Sequence, residues 1–249
     1  MSRVAFAYNA RMPRSDFTST HWSIVLRAGK ADGSDSRDAL AFLCQRYWYP
    51  LYVFLRKKGV DPERAEDVTQ SFFARLIEKH VLEQAAPSRG RFRSFLLVSM
   101  QNFLANEWDQ ARAQKRGGDR KILSLNVEDG ESKLRFEPSH ELTPEKIFDR
   151  AWAVRLLELV VGRLQKEFAD KGKAADFDHL KLFLAGKHAD ESYERTATEM
   201  GVSFATFRQA AHRMRKRYRE LLRAEVAETV ASDDEIDDEI RGLFEALAR

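Results

Sequence analysis

The tightest constraint on this sequence is a three-residue junction, Gly201-Val202-Ser203, between two stretches with helical periodicity. Tyr193 to Met200 fits one helix. Gly201 then stands where a helix C-terminus wants a left-handed residue, a conformation glycine adopts without a Cβ penalty. Val202 is the apolar residue beyond that cap, and Ser203 is a good N-cap for a new helix. Phe207, Ala211, Met214, Tyr218 and Leu222 follow at helical spacing and predict an inward stripe. Arg208, His212, Arg215 and Arg219 recur on another face, and from Arg208 to Arg219 there are six Arg or Lys and no acid. A short helix, a tight turn and a helix that is basic near its start is a layout with which proteins enter the DNA major groove. It is equally the layout of an αα-hairpin with a solvated basic face. The stretch alone leaves both open.

The rest of the chain extends the helical pattern. Of 249 residues, 43% are apolar, enough for a core, and β-branched alternation of the strand type is nearly absent. The expected fold class is all-α, with two helical domains joined by a linker and the helix-turn-helix in the second. The net charge of +3 hides an asymmetry. From Arg89 to Lys121 there are eight Arg or Lys against three acids, and from Asp233 to Glu239 six of seven residues are acidic. Two separate basic blocks suggest two polyanion contacts. The single Cys44 cannot form an internal disulfide and reads as a small core residue. The first twenty residues lack a continuous apolar h-region, and apolar runs fall far short of the ~20 residues that span a bilayer. A cytoplasmic protein without membrane contact is the expectation.

Punctuation places the elements. Residues 1–18 read as a loose tail, followed by a short helix from His21 to Ala28. A long helix from Ser36 to about Lys58 carries Leu40, Leu43, Tyr47, Leu51, Phe54 and Leu55, with Pro50 expected to kink it. Gly59 ends it, and Asp61-Pro62 starts the next, Asp as N-cap and Pro at the first helical position. That helix runs to about His80 with Ala65, Val68, Phe72, Leu76 and Phe73 inward. After a loop at 87–90, a helix from Phe92 to about Gln114 carries Phe92, Phe95, Leu96, Ser99 and Phe103. Gly117-Gly118 breaks it. Residues 19–116 make the first domain, and 117–142 a linker with extended character at ILSLNV. Residues 143–225, opening at Thr143-Pro144, make the second domain, with helices over 144–169 and 174–186 before the hairpin. In the tail 226–249, Ser232 and Glu235 form a capping-box pattern, and Ile236, Ile240, Leu243, Phe244 and Leu247 an amphipathic stripe.

Catalytic constellations are missing. None of the six histidines has metal-ligand spacing with another, and one cysteine excludes C-x-x-C. There is no glycine-rich phosphate loop and no G-x-S-x-G, so neither enzyme activity nor a cofactor is expected. The second basic block is more informative. GRFRSFLLVSMQNFLANEWDQARAQKR mixes arginines, amides and large aromatics. Unpaired bases are held by stacking on aromatics and by hydrogen bonds from Asn, Gln and Arg. Phe92, Phe95 and Phe103 recur at helical spacing and read as core. Asn102, Asn106 and Trp108 fit a core less well and are candidates for separated DNA strands, with solvated helix positions as the alternative.

Three stretches together resemble the extracytoplasmic-function (ECF) sigma factors of the sigma-70 family. DPERAEDVTQSFFARLIEK is similar to region 2.2, the basic helix block above to regions 2.3 and 2.4, and SYERTATEMGVSFATFRQAAHRMRKRYRELL to region 4.2. The similarity covers roughly residues 20–115 and 145–225 in the family's order. It implies a bacterial transcription initiation factor without enzyme activity. Such a factor binds core RNA polymerase (β′ clamp helices and β flap) and directs it to promoter DNA. Carried over residue by residue, polymerase binding falls to Glu66, Asp67, Gln70 and Phe73. Recognition and melting of the -10 element fall to Asn102, Asn106, Trp108 and Arg112. Reading of the -35 element falls to Ser203, Thr206, Arg208, Gln209, His212 and Arg215. The linker would thread toward the polymerase active-site channel.

The sequence departs from that pattern in two places. Where the family's motif usually carries an acid after the glutamine, this chain has Ser71, with Thr69 two positions earlier. A phosphoryl group on either would supply the missing negative charge, so a Ser/Thr kinase is one candidate regulator and an anti-sigma protein another. The alternative is a serine that is merely tolerated there. The acidic tail is the second departure. It either lies across the basic recognition helix and masks it, or packs as an ordinary helix on the second domain. Two other functional classes stay open: a dimeric helix-turn-helix transcriptional regulator, and an adaptor that binds protein rather than DNA.

Overall fold

A computed structural model describes residues 34–78, 91–113, 142–184, 190–230 and 232–248, without the side chains of 34–41, 77–78 and 108–113. The expected tail at 1–18, the helix at 21–28, the loop at 87–90 and all of the linker at 117–142 but Leu142 lie outside the described residues. Among the described residues there are eight α-helices and no strand, which makes the protein mainly helical. They are α1 (Ser34–Lys57), α2 (Pro62–Glu78), α3 (Phe92–Ala113), α4 (Pro144–Asp170), α5 (Ala174–Leu180), α6 (Asp190–Glu199), α7 (Phe204–Ala227) and α8 (Ile236–Ala248). Short 3₁₀ turns at Lys181–Phe183 and Asp233–Glu235 follow α5 and precede α8. The expected helix over 174–186 therefore tightens into a 3₁₀ turn after Leu180. No helix among the described residues is long and apolar enough to cross a membrane.

The helix boundaries follow local chemistry. Asp61 caps α2, accepting from the Arg64 amide at 2.9 Å, with Pro62 at the first position. Thr143 caps α4 in the same way, accepting from the Lys146 amide at 3.3 Å. α1 ends at Gly59 with φ +85°, and the Val60 and Gly59 amides donate back to the Leu55 and Arg56 carbonyls. That is the paired C-terminal closure a left-handed residue makes possible. The tail departs from expectation: Ser232 makes no side-chain capping bond, so the predicted capping box is not formed.

Packing is dominated by α1. From Tyr47 to Leu55 it is buried on almost every side: Tyr47, Leu51, Tyr52, Val53, Phe54 and Leu55 are fully enclosed and Tyr49 nearly so. A helix apolar all round must be covered all round. α2 covers one side and α4 lies along another. The sequence YWYPLYVFL carried that signal, but a one-sided stripe understates it. Pro50 sits inside α1, where its missing N–H removes the bond to Arg46 four residues back. α4 in turn receives α5, α7 and α8. Buried residues from both sides of 117–142 thus form one continuous core. In this structure the two halves do not stand apart.

Charged groups also cross between the halves. Glu225 of α7 is 1% exposed and accepts from Arg46 of α1 (Nε at 2.8 Å, Nη2 at 2.5 Å) and from Arg163 of α4 at 2.5 Å. Burial pulls the Arg46 guanidinium below its ordinary pKa, against the opposing pull of Glu225. Arg46 also lies over the Phe42 ring at 3.3 Å. Burial pushes the Cys44 thiol up to about 12, which makes it an inert core residue.

Candidate nucleic-acid interface

The junction that opened the sequence folds as its residues require. Gly201 has φ +65°, its amide donates to the Thr198 carbonyl, and the Val202 amide donates to the Ala197 carbonyl. Ser203 then caps α7: its Oγ accepts from the Thr206 amide at 3.2 Å and meets the Thr206 hydroxyl at 2.8 Å. Three aromatic rings lock α6 to α7. Phe183 lies 4.6 Å from Tyr193 and 5.1 Å from Phe207, and Tyr193 lies 5.8 Å from Phe207, centroid to centroid. Phe207, Ala211, Met214 and Leu222 are buried as predicted, while Tyr218 is half-buried.

The opposite face of α7 is a ladder of cations. At 100° per residue, Ala205, Arg208, Gln209, His212, Lys216 and Arg219 fall on one arc of about 100°, with Arg213 at its edge. All are exposed. Among the described residues, Arg208, Arg213, Lys216 and Arg219 have no ion-pair partner, and Arg208 lies 5.9 Å over the Phe204 ring. The other α7 arginines are committed. Arg217 pairs with Glu167 at 2.6 Å and Glu220 at 3.1 Å, and Arg223 pairs with Asp237. The hydrogen bond from Arg217 holds the Glu167 carboxyl below the usual range.

The predicted -35 readers divide accordingly. Ser203, Thr206, Arg208, Gln209 and His212 are together and exposed at the start of α7. Arg215 is placed differently. It is half-buried and donates to the Tyr193 hydroxyl at 2.7 Å and the Phe183 carbonyl at 3.3 Å. It braces the hairpin from within rather than facing outward. By helical spacing Arg215 lies only about 20° from Arg208, but also about 20° from buried Leu222, and at that boundary the Tyr193 hydroxyl and the Phe183 carbonyl claim it.

On α3, Asn102 and Asn106 are exposed, while the side chains of Trp108 and Arg112 lie outside the described residues. Phe92, Leu96, Met100, Phe103 and Leu104 are buried. Of the four residues assigned to polymerase, Asp67 is exposed and Glu66 is half-exposed, accepting from Gln70 Nε2 at 2.9 Å. Gln70 and Phe73 are buried, Phe73 completely, its ring 5.9 Å from Phe72. Thr69 is also fully buried, and its hydroxyl donates to the Ala65 carbonyl at 2.7 Å. Only Ser71 of the two phosphorylation candidates is exposed to a modifying enzyme.

The tail follows the second of its two expected courses and packs as a helix on the second half. α8 packs on α4 and α7, with Ile236 and Leu243 buried but Phe244 51% exposed rather than inward. Its ion pairs go to Arg223, and through Glu239 to Arg91 and Arg93. Among the described residues the tail's acids make no ion pair with Arg208, Arg213, Lys216 or Arg219. Nothing local marks Glu239 for burial, because its partners stand 146 and 148 residues away in sequence.

No three His, Cys, Asp or Glu side chains among the described residues are grouped to hold a metal ion. No protein-family model matches the chain, no curated protein matches it, and no solved structure matches it.

Proposed function

We propose that this chain is a sigma-type transcription initiation factor: it binds core RNA polymerase and promoter DNA, and the start of α7 reads the upstream element in the major groove. The observation that carries the reading is the cation face of α7, which has no ion-pair partners among the described residues, begins at a capped turn and is exposed over about three helical turns. A helix held at its base by an aromatic cluster, with polar side chains at its N-terminal end and arginines and lysine beyond, suits base-edge contact flanked by phosphate contact. Exposed Asn102 and Asn106 on α3 supply a second polar surface for separated strands. Asp67 and Glu66 offer the carboxylates for a basic surface of the polymerase. Two-helical-domain organisation, cytoplasmic location and control by phosphorylation at Ser71 belong to this same reading.

The test is to mix the protein with core RNA polymerase and a promoter library. Promoter-dependent initiation is the expected result. DNA binding without polymerase would favour a dimeric regulator, and neither activity would leave an adaptor. In the same assay Arg219→Ala should weaken binding across sequences and lower the salt slope by about 1, as loss of one phosphate contact requires.

A further inference from the structure

We propose that α8 is an intramolecular competitor for nucleic-acid phosphate: the Glu239 carboxylate occupies an oxyanion site made by Arg91 and Arg93, and undocking of α8 hands that site to DNA. The proposal rests on the DNA-binding reading above. Glu239 is 0% exposed. One carboxylate oxygen lies 2.8 Å from Arg91 Nε, and the other accepts from Arg93 Nη1. Two guanidinium groups converging on one pair of oxygens is an arrangement that serves a phosphate equally well. Arg93 is further held by Asp149 at 3.0 Å and lies over the Trp152 ring at 4.5 Å, so it is positioned whether or not Glu239 is present. The side chain of Arg91 is 40% exposed. Both arginines line a cleft of about 180 Å³ together with Lys146, Asp149 and Glu245. An incoming anion can therefore approach while α8 is still docked.

Docking of α8 does not need this charge. Ile236 and Leu243 of its apolar stripe are buried, and an apolar residue of similar volume is often no worse at a buried ionic position. The carboxylate makes docking depend on what else competes for the arginines. Opening is also what the reading of two promoter elements demands. Elements named -10 and -35 are separated by ~25 base pairs, about 85 Å at the ordinary duplex rise. A 249-residue chain packed as one body has a radius of gyration of only about 18 Å. The contacts that join the halves must part for both elements to be held, and α8 bridges α3, α4 and α7.

The test uses full-length protein and a labelled duplex of arbitrary sequence, with binding measured from 50 to 200 mM KCl. Glu239→Lys places a third cation beside Arg91 and Arg93 and should expel α8, seen as faster amide exchange over 236–248. The plot of log affinity against log salt should then steepen by about 1.8, or 0.9 for each phosphate gained. Over this fourfold salt range that is about a 12-fold additional loss relative to wild type. Adding Arg91→Gln should remove roughly half of the gain. Glu239→Gln, which removes the charge without adding one, should move the slope in the same direction and decides the matter alone if Glu239→Lys does not fold. Wild-type slopes in the folded variants would overturn the proposal and leave the DNA-binding reading intact. Absence of duplex binding by every protein at 50 mM would sink that reading, and the proposal with it.

Discussion

Glu225 offers the sharpest test of how the halves are held together. It is 1% exposed and accepts from two arginines that differ in their surroundings. The Arg46 side chain is 9% exposed and the Arg163 side chain 45%. Glu225→Ala leaves Arg46 buried without its counter-charge, a situation that typically costs about 3–5 kcal/mol. For a protein of this size, 1 kcal/mol moves the melting temperature by roughly 2–4 °C, so a fall of about 6–20 °C is expected. In urea, with a slope near 1–3 kcal/mol/M, the midpoint should drop by about 1 M or more. Arg163→Ala should cost no more than about 1 kcal/mol, because water can replace most of what it loses. Replacing both buried partners, as Arg46→Met with Glu225→Leu, should recover most of the loss, since neither desolvated charge remains. The measurements are urea titrations followed by helical circular dichroism and by tryptophan fluorescence, with the coupling taken from the double-mutant cycle. If Glu225→Ala costs under 1 kcal/mol, or the double variant is no more stable than the single, the buried pair does not hold α7 to α1 as argued.

Two further perturbations follow from local geometry. Gly201→Ala should destabilise by about 1–2 kcal/mol, the cost of a left-handed conformation, because a Cβ there meets nothing within 4 Å and the backbone alone is strained. Gly162→Ala, mid-helix in α4 and equally open, should stabilise by about 0.8–1.0 kcal/mol; thermal melts of the two variants should move in opposite directions. The Glu167 carboxyl is held low by Arg217, so its contribution is present above the ordinary value of 4.5 and lost as pH falls through the lowered one. Glu167→Gln should therefore flatten the decline in melting temperature below pH 4.5, and an unchanged profile would dismiss the linkage.

Much of the fold was legible because the signals act within four residues. Asp61-Pro62, Thr143-Pro144 and Gly201 with Ser203 each satisfy their own neighbourhood's backbone groups, so they mark helix ends whatever packs above them. The inward positions of α2 and most of those of α7 were legible for the same reason, a 3.6-residue period written along the chain; on α3 Phe92, Leu96 and Phe103 are buried as expected, but Phe95 and Ser99 only half, and Met100 and Leu104 take their place. Roles that depend on what lies opposite were not. Arg215 and Arg219 look alike in sequence, yet one is spent on Tyr193 and the other faces outward. Thr69 and Ser71 look equally available, yet a buried neighbourhood takes the first.

What the sequence by itself determined is the helical class, most of the places where helices start and stop, and a tight junction before a helix with a basic face. Only the tertiary structure decided which charges are free to act. Glu225 and Glu239 read as ordinary surface acids, and α1 as a helix with one apolar stripe. Packing buries both acids against arginines from the opposite half and encloses α1 on almost every side. The physical reason is range. Capping and periodicity are settled by neighbours along the chain, whereas a carboxylate becomes buried or exposed according to a cation 179 or 146 residues away.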